Sequence, residues 1–546
     1  MTDAARYIQV ILPLKLGWEP FYRVPDYEGD ICVGDRVLAP FAGRSYLGVV
    51  SATDVAPQDD ALPRIRRIYG IDGSKDRILL SEIEFWRLLS VYYMCTVGEV
   101  YKAAYPSVKD EAVTPRKKTE EFVPSLPADV LSDASRGLAV GVAKAFNDGR
   151  TVLLNAADAE SVAIDQCLKR SDGTVLWLVP QLNQERALKQ RLSKIFGSRL
   201  ILWGSNLTAA KKREAARRIR STEHCVILGT RSSIFLPYSD LSLVIVQDEQ
   251  DTAFKQTSPS PRYNGRDAAV LLARSFGADV LLCSRTPSFE TVYNCLTGRY
   301  VLVSDGSKGC NKYEIIDTRA EAFKNGMVGD VSRKLIGLSS KAGRTAVYKS
   351  RRSMYPKTEE LLPQLSSCLG DGINFSDDIV EHPLATDSSV LAFFGVDSLL
   401  GKNDFRSDEH CLQEIRKVAF SLPSLDVAVL QTANSSHPIF NVLKNADVSP
   451  LMEERRQYGY PPFSRIVDVI FKDSSFKRAA FMSSELSGVI EKEGGCRVIA
   501  SAGTVRLIIP RDRNLQGFKV RLRELVSTFE KDHKYLGHIT FDVDPA

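Results

Sequence analysis

Leu243-Val244-Ile245-Val246-Gln247-Asp248-Glu249-Gln250-Asp251 is a short apolar run that ends abruptly in carboxylates and amides. An apolar run of that length between polar boundaries reads as a strand buried on both faces. Just upstream, Val226-Ile227-Leu228 leads into Gly229-Thr230-Arg231-Ser232-Ser233-Ile234-Phe235-Leu236-Pro237. Further strands are expected at Thr151–Asn155, Val175–Val179, Leu200–Trp203, Cys225–Gly229 and Val280–Cys283, with helical stretches such as Leu182–Phe196 and Ala209–Arg220 between them. Strand–helix alternation at this spacing calls for a parallel sheet with helices on both faces, here over 136–302. A less regular α/β region covers 303–450, with strands near Tyr313–Ile316, Thr345–Tyr348, Leu391–Gly395 and Val427–Gln431. Outward from this centre, Ile8–Leu12, Phe21–Val24, Gly34–Phe41 and Leu47–Val50 form β-like runs punctuated by Gly and Pro, followed by an aromatic helical segment from Ser81 to Tyr105. The stretch 106–135 reads as a linker or a much reduced module, and 451–546 as a small α+β unit.

The length of 546 residues suggests about three to five domains. Hydrophobic content of 44% with 25% charged residues excludes wholesale disorder and collagen-like order. Lys+Arg 72 against Asp+Glu 67 leaves +5, so any nucleic-acid contact must rest on local basic patches. The ten cysteines are scattered without a Cys-x-x-Cys pair, which argues against a zinc ribbon and for reduced thiols. The amino terminus does not read as a secretion signal, and no segment approaches the ~20 apolar residues of a membrane span. A cytoplasmic protein with no membrane partner is expected.

Several blocks together resemble a known family. They are Gly229–Pro237, Leu243–Asp251, Phe254-Lys255-Gln256, Pro261-Arg262-Tyr263-Asn264-Gly265-Arg266-Asp267 and Ser284-Arg285-Thr286. In this order they resemble the first motor lobe of the replication-restart DNA helicase PriA, a superfamily 2 helicase. Val33–Phe41 and Val97-Gly98-Glu99-Val100 resemble that family's amino-terminal DNA-end-binding domain. Asp404-Phe405-Arg406-Ser407 resembles a second-lobe motif, and Glu454–Arg465 with Phe541–Pro545 resembles the carboxy-terminal domain. The resemblance implies an α/β fold of two RecA-like lobes with a small β-rich amino-terminal domain and a small α+β carboxy-terminal domain. The divisions are then 1–105 (DNA-end binding), 106–135 (linker or winged-helix remnant), 136–302 (lobe 1), 303–450 (lobe 2) and 451–546 (tail).

The motor motifs depart from the family pattern. A phosphate loop needs glycines, a lysine and a Ser/Thr for Mg²⁺. The expected place runs from Ala156 through Ser161, Val162 and Ala163, with Val162 at the lysine position and Ala163 at the hydroxyl position. Asp158 and Glu160 add negative charge there. The acidic box falls on Gln247, Asp248, Glu249 and Gln250, although a frame shifted by one residue recovers Asp248-Glu249. Where the resemblance places an arginine finger, the sequence reads Phe420-Ser421-Leu422-Pro423. Arg285 stands where the coupling motif has a small residue, and the cysteine pairs of the family's zinc module are missing. No catalytic, nucleotide or metal residues are therefore expected, nor the ATP, Mg²⁺ and zinc that the family uses.

Candidate DNA-binding residues are Asp35, Arg36 and Phe41, the cluster Arg64, Arg66 and Arg67, and Arg231, Lys255, Arg262 and Arg266. Arg231, Arg262 and Arg266 read equally as structural ion pairs. The face Lys211-Lys212-Arg213 with Arg217, Arg218 and Arg220 reads first as solvated surface. A second basic patch comprises Arg506, Arg511, Arg513, Lys519, Arg521 and Arg523. Phe85, Trp86, Tyr92 and Tyr93 read as core. The expected function is a DNA-binding protein of replication restart and primosome assembly that recognises branched or 3′-ended DNA without ATP hydrolysis. By resemblance, its partners are forked or single-strand-containing DNA, single-strand-binding protein and primosome proteins. An ATP-dependent 3′–5′ helicase is the alternative, and an interaction scaffold without DNA binding the third reading.

Overall fold

The computed structural model describes residues 6–25, 28–58, 64–105, 131–170, 173–204, 206–221, 224–307, 310, 312–342, 344–370, 373–401, 404–512, 514–533 and 537–545. Most of the expected linker, 106–130, and Arg513 of the second basic patch lie outside these described residues.

The amino-terminal runs pair as an antiparallel sheet of β1 (Tyr7–Ile11), β2 (Phe21–Arg23), β3 (Arg36–Phe41), β4 (Arg44–Thr53) and β5 (Gly70–Ile71), in the order β2-β1-β4-β3-β5. Alternate residues Ile8, Val10 and Leu12 meet Val37, Ala39 and Val50 in its core. The aromatic segment is broken into two helices, because Met94 turns left-handed at φ 54 after Leu80–Tyr93. The next helix, Val97–Ala104, starts at a reciprocal cap: the Thr96 hydroxyl accepts the Glu99 N–H, and the Glu99 carboxylate accepts the Thr96 N–H. A Cβ on Gly98 would lie 2.2 Å from the Leu14 carbonyl oxygen and 2.3 Å from that of Leu12. Only glycine lets this helix approach so closely. Phe85, Trp86 and Tyr93 are buried as expected.

The α/β alternation produces β6 (Thr151–Asn155), β7 (Thr174–Leu178), β8 (Leu200–Trp203), β9 (Val226–Gly229), β10 (Leu241–Gln247), β11 (Asp279–Cys283) and β12 (Tyr300–Ser304). Their order is β12-β6-β11-β10-β7-β9-β8, and β10–β7, β7–β9 and β8–β9 pair in parallel. Next come β13 (Lys312–Asp317), a hairpin of β14 (Met327–Val328) and β15 (Val331–Ser332), then β16 (Thr345–Lys349), β17 (Asn374–Ser376), β18 (Val390–Phe394) and β19 (Val427–Thr432). Five of these form a wholly parallel sheet in the order β13-β19-β18-β16-β17. Two successive α/β sheets are the arrangement expected over 136–302 and 303–450. The tail is an antiparallel sheet of β20 (Ser464–Lys472), β21 (Arg497–Ser501), β22 (Thr504–Pro510) and β23 (His538–Val543), in the order β21-β22-β20-β23.

One compact unit comprises Met1–Val152, Glu160–Leu282 and Ser464–Ala546, and a second comprises Leu153–Ala159 and Cys283–Phe463. Leu451 and Met452 pack with Leu391, Ile415 and Leu430 in the core of the second unit. Among the described residues no helix is long and apolar enough to cross a membrane.

Candidate functional site

In the second unit, the loop after β6 is where a phosphate cradle would form. Its Ala157 N–H donates to Asp305 Oδ2 at 2.6 Å. Asp305 follows β12, and its other oxygen accepts the Ser307 N–H at 2.8 Å. Burial alone would raise the Asp305 carboxyl, but the N–H groups of Ala157 and Ser307, the Ser307 hydroxyl and Arg285 together hold it below the ordinary carboxylate range. Arg285 lies 3.6 Å over the Phe420 ring and donates to Ser307 Oγ at 3.2 Å, and burial lowers its guanidinium pKa. A carboxylate thus sits on the loop's N–H, backed by the arginine from the coupling motif. The ring beneath that arginine belongs to Phe420, at the place where the resemblance leads one to expect an arginine finger.

Helix Ala159–Leu168 follows that loop. Val162 and Ala163 are fully buried in it, and Ser161 nearly so. Arg191 binds Glu160 at 2.8 Å and Ser161 Oγ at 2.7 Å. The first turn is therefore committed to packing and to a neighbouring helix. In the acidic box, Asp248 adopts a left-handed φ of 49, a conformation Asp tolerates better than most residues. Glu249 is buried and pairs with Arg266 at 3.0 Å, while Arg266 also binds Asp267 at 2.7 Å. Gln247 Oε1 is buried without a hydrogen-bond partner among the described residues. Nor do any three His, Cys, Asp or Glu side chains among those residues group as metal ligands.

Several residues expected on a DNA-facing surface lie in the interior instead. Lys255 donates to Asp542 Oδ1 at 2.7 Å, to the Arg262 carbonyl at 2.9 Å and to the Val543 carbonyl at 2.8 Å. Arg262 reaches the same carboxylate at 3.5 Å. Arg231 donates to the Ala253 carbonyl at 2.7 Å. In the head, Asp35 accepts the Cys32 N–H and the Arg77 guanidinium, and buried Arg36 lies 4.7 Å over the Tyr105 ring. Desolvating an unpaired cation is costly, so each of these cations, buried or, for Arg231, half-buried, has a carboxylate, a carbonyl or an aromatic face. Arg465 joins them, bonded to Asp544 and to the Tyr92 hydroxyl. Lys519 donates to the Tyr92 carbonyl, and burial together with Arg465 pushes its ammonium down to about 8.

Of the cations expected to meet DNA in the head, Arg64, Arg66 and Arg67 are exposed. The Arg23 N–H donates to the Arg66 carbonyl at 2.9 Å, which fixes this strip beside β2. Trp18 is 59% exposed and lies 6.3 Å from Phe41. A cavity of about 550 Å³ adjoins it, lined by Ile11, Leu14, Trp18, Phe21, Arg87 and Arg523 among others. Cations, aromatic rings and an open cavity suit a strand end, whose phosphates need charge and whose bases need stacking faces.

A family model described as the 3'DNA-binding domain (3'BD) of PriA matches residues 9–106. Replication restart protein PriA of Rickettsia felis is 29% identical over 338 residues, covering 60% of this chain and 50% of the relative. PriA of Treponema pallidum is 27% identical over 339 residues, covering 58% and 50%. The chain is similar to PriA proteins over about 60% of its length. It spans about half the length of these curated relatives. Among solved structures, RecG bound to a three-way DNA junction gives a TM-score of 0.36 at 15% identity, covering 69% of this chain and 52% of that one. Mycobacterium smegmatis helicase Lhr bound to ssDNA and AMP-PNP gives 0.34 at 12%, covering 72% and 62%.

Two of the PriA-like blocks meet directly. In the second unit, Arg455 binds Glu409 at 2.9 Å and the Phe405 carbonyl at 3.1 Å, and Tyr460 stacks on Phe405 with centroids 5.0 Å apart. Two blocks far apart in sequence thereby meet. The residue that sequence reasoning missed is Asp305. It follows the unforeseen strand β12, and a lone Asp in an Asp-Gly-Ser turn gives no hint of a backbone donor from residue 157.

Proposed function

We propose that this PriA-like chain binds forked or 3′-ended DNA in replication restart and primosome assembly, and does so without hydrolysing ATP. The observation that carries the second half is the Asp305 carboxylate on the Ala157 N–H. A phosphate oxygen needs that donor, and would instead meet a like charge at roughly 4 Å, worth about 4 kcal/mol of repulsion at an effective dielectric of 20. No lysine stands on the loop to offset it. The residues present do not fit a Mg²⁺–triphosphate, so no step runs through one. The first half is supported by the description of the matched domain and by exposed Arg64, Arg66 and Arg67 in it. Single-strand-binding protein and primosome proteins are the partners we assign by family, in the cytoplasm. For the parts we propose a DNA-end-binding head (1–105), a linker or reduced module (106–135), two motor-derived lobes and a tail.

The test pairs two measurements on the purified chain. Binding to a synthetic fork is followed over a salt series, and ATP turnover is followed with and without that fork. Three phosphate contacts from Arg64, Arg66 and Arg67 predict a log–log salt slope of roughly −2 to −3. Fork-stimulated turnover above background refutes the non-hydrolysing reading, and absence of fork binding at low salt refutes the DNA reading.

A further inference from the structure

Two buried guanidiniums flank Tyr105. Arg36, on β3, is 5% exposed and lies 4.7 Å from the centre of the Tyr105 ring and 5.6 Å from that of Tyr101. Arg220, at the end of helix Ala209–Arg220, reaches the Tyr105 hydroxyl at 3.3 Å. One buried carboxylate serves both. Glu82 binds Arg220 at 2.8 Å, accepts the Tyr105 hydroxyl at 2.9 Å and caps its own helix through the Leu79 N–H at 3.0 Å. Exposed Asp76 adds a further attraction on Arg220. Arg220 is therefore neutralised. Arg36 is not, because among the described residues its guanidinium has neither a carboxylate nor a hydrogen-bond acceptor. The carboxylate next to it in sequence, Asp35, is taken by Arg77 at 2.8 Å. Arg36 Nε, Arg220 Nε and Arg220 Nη1 are buried donors without an acceptor among those residues. An aromatic face offsets only part of the cost of burying a guanidinium, whose in-plane N–H groups still lack partners.

We propose that the edge of the Arg36 guanidinium binds a small oxyanion, of which phosphate is the type. A planar guanidinium presents paired N–H groups that match two oxygens of one oxyanion. The bound charge supplies the neutralisation that Arg36 lacks, and the surrounding rings of Tyr101 and Tyr105 keep the local dielectric low, which strengthens the attraction. Glu82 does not take this role, since Arg220, the Tyr105 hydroxyl and the Leu79 N–H already hold its oxygens. The same chemistry has two sources, free inorganic phosphate and a phosphate of a nucleic-acid strand. The site does not depend on fork binding by the head.

The probe is inorganic phosphate, followed on the full chain by titration calorimetry and by thermal unfolding at an ionic strength held constant with sodium chloride. Saturable binding is expected, with a melting temperature that climbs as the logarithm of phosphate once the site fills. Arg36→Met should weaken phosphate binding about tenfold or more. Arg77→Met should leave it unchanged, because that arginine is exposed and already paired with Asp35. Arg36→Lys keeps the charge without the planar fork and should fall between Arg36→Met and the wild type. Should Arg36→Met fail to fold by far-UV circular dichroism, the wild-type titration and Arg36→Lys still decide the matter. Competition separates the sources: displacement of phosphate by a single-stranded oligonucleotide assigns the site to a strand phosphate, and absence of displacement to a free anion. Absence of saturable phosphate binding overturns the proposal. So does an equal rise in melting temperature with chloride alone, unchanged binding by Arg36→Lys, or equal weakening by Arg36→Met and Arg77→Met.

Discussion

Replacing Lys255 by methionine decides whether this cation serves the fold or DNA. The side chain is 8% exposed and its three donors go to Asp542, the Arg262 carbonyl and the Val543 carbonyl. Methionine fills a similar volume but leaves the Asp542 carboxylate buried, with Arg262 at 3.5 Å as the remaining cation. Breaking a buried pair by removing one partner costs about 3–5 kcal/mol, and the surviving Arg262 contact puts the expected loss near 3 kcal/mol. Asp542 and Val543 belong to β23, paired with β20 through Val467–Lys472. The loss should appear as local opening of that strand, accelerating amide exchange in 538–543 on the order of 100-fold. Lys255→Met combined with Asp542→Asn should recover much of the protection, because no unpaired charge remains. Exchange is read by mass spectrometry, and fork affinity is read on the same preparation. Unchanged exchange with fork binding weakened tenfold or more would refute the structural assignment and return Lys255 to the DNA surface.

Lys519 offers a pH test. With its ammonium pushed down to about 8, the folded chain binds fewer protons than the unfolded one between about pH 8 and the ordinary lysine value near 10.4. Stability should therefore rise with pH across that window, by up to about 3 kcal/mol relative to Lys519→Met; parallel unfolding curves for the two proteins would contradict this. For Asp305 the sign is opposite. Its depressed carboxyl stabilises the fold at neutral pH, and the advantage over Asp305→Asn should vanish as pH falls through the carboxylate range, below about 4. A pH-independent difference in urea midpoints would exclude that assignment. Gly98→Ala should cost about 1–3 kcal/mol or more, because the added methyl meets backbone carbonyls that cannot yield; wild-type thermal stability would show the approach to be looser. Glu249→Gln should lower stability by about 2–3 kcal/mol through the orphaned Arg266, partly compensated by Asp267, while ATP turnover stays at background. Turnover that is present in the wild type and lost in Glu249→Gln would restore the acidic box as catalytic.

Strands were the most legible part of this chain. Thr151–Asn155 and Leu200–Trp203 coincide with β6 and β8, because unbroken apolar runs between turn residues have few other solutions. Strand β12 was missed, and the helical aromatic segment was expected without its break. Nothing in Met94 announces a left-handed residue. The site was less legible. A buried Lys255 and an exposed one have the same letter, and what separates them is a carboxylate 287 residues away. Val162 at the place expected for a phosphate-loop lysine was visible in the sequence. Occupation of the loop by Asp305 was not, since a hydrogen bond from backbone to a distant side chain leaves no periodic trace.

The bond from Lys255 to Asp542 also sets a clock. At about 5–20 residues per second, synthesis of the 287 intervening residues takes roughly 15–60 s. Helix–coil and loop-closure steps finish in microseconds, so the first α/β sheet can assemble long before its carboxylate exists. Throughout that interval Lys255 and Arg262 lack the acid that neutralises them, and the surface awaiting β20 and β23 stays open to water. The nascent chain is therefore a long-lived partial fold in need of shielding. A product that stops short of Phe541 never leaves that state, however complete its head and lobes.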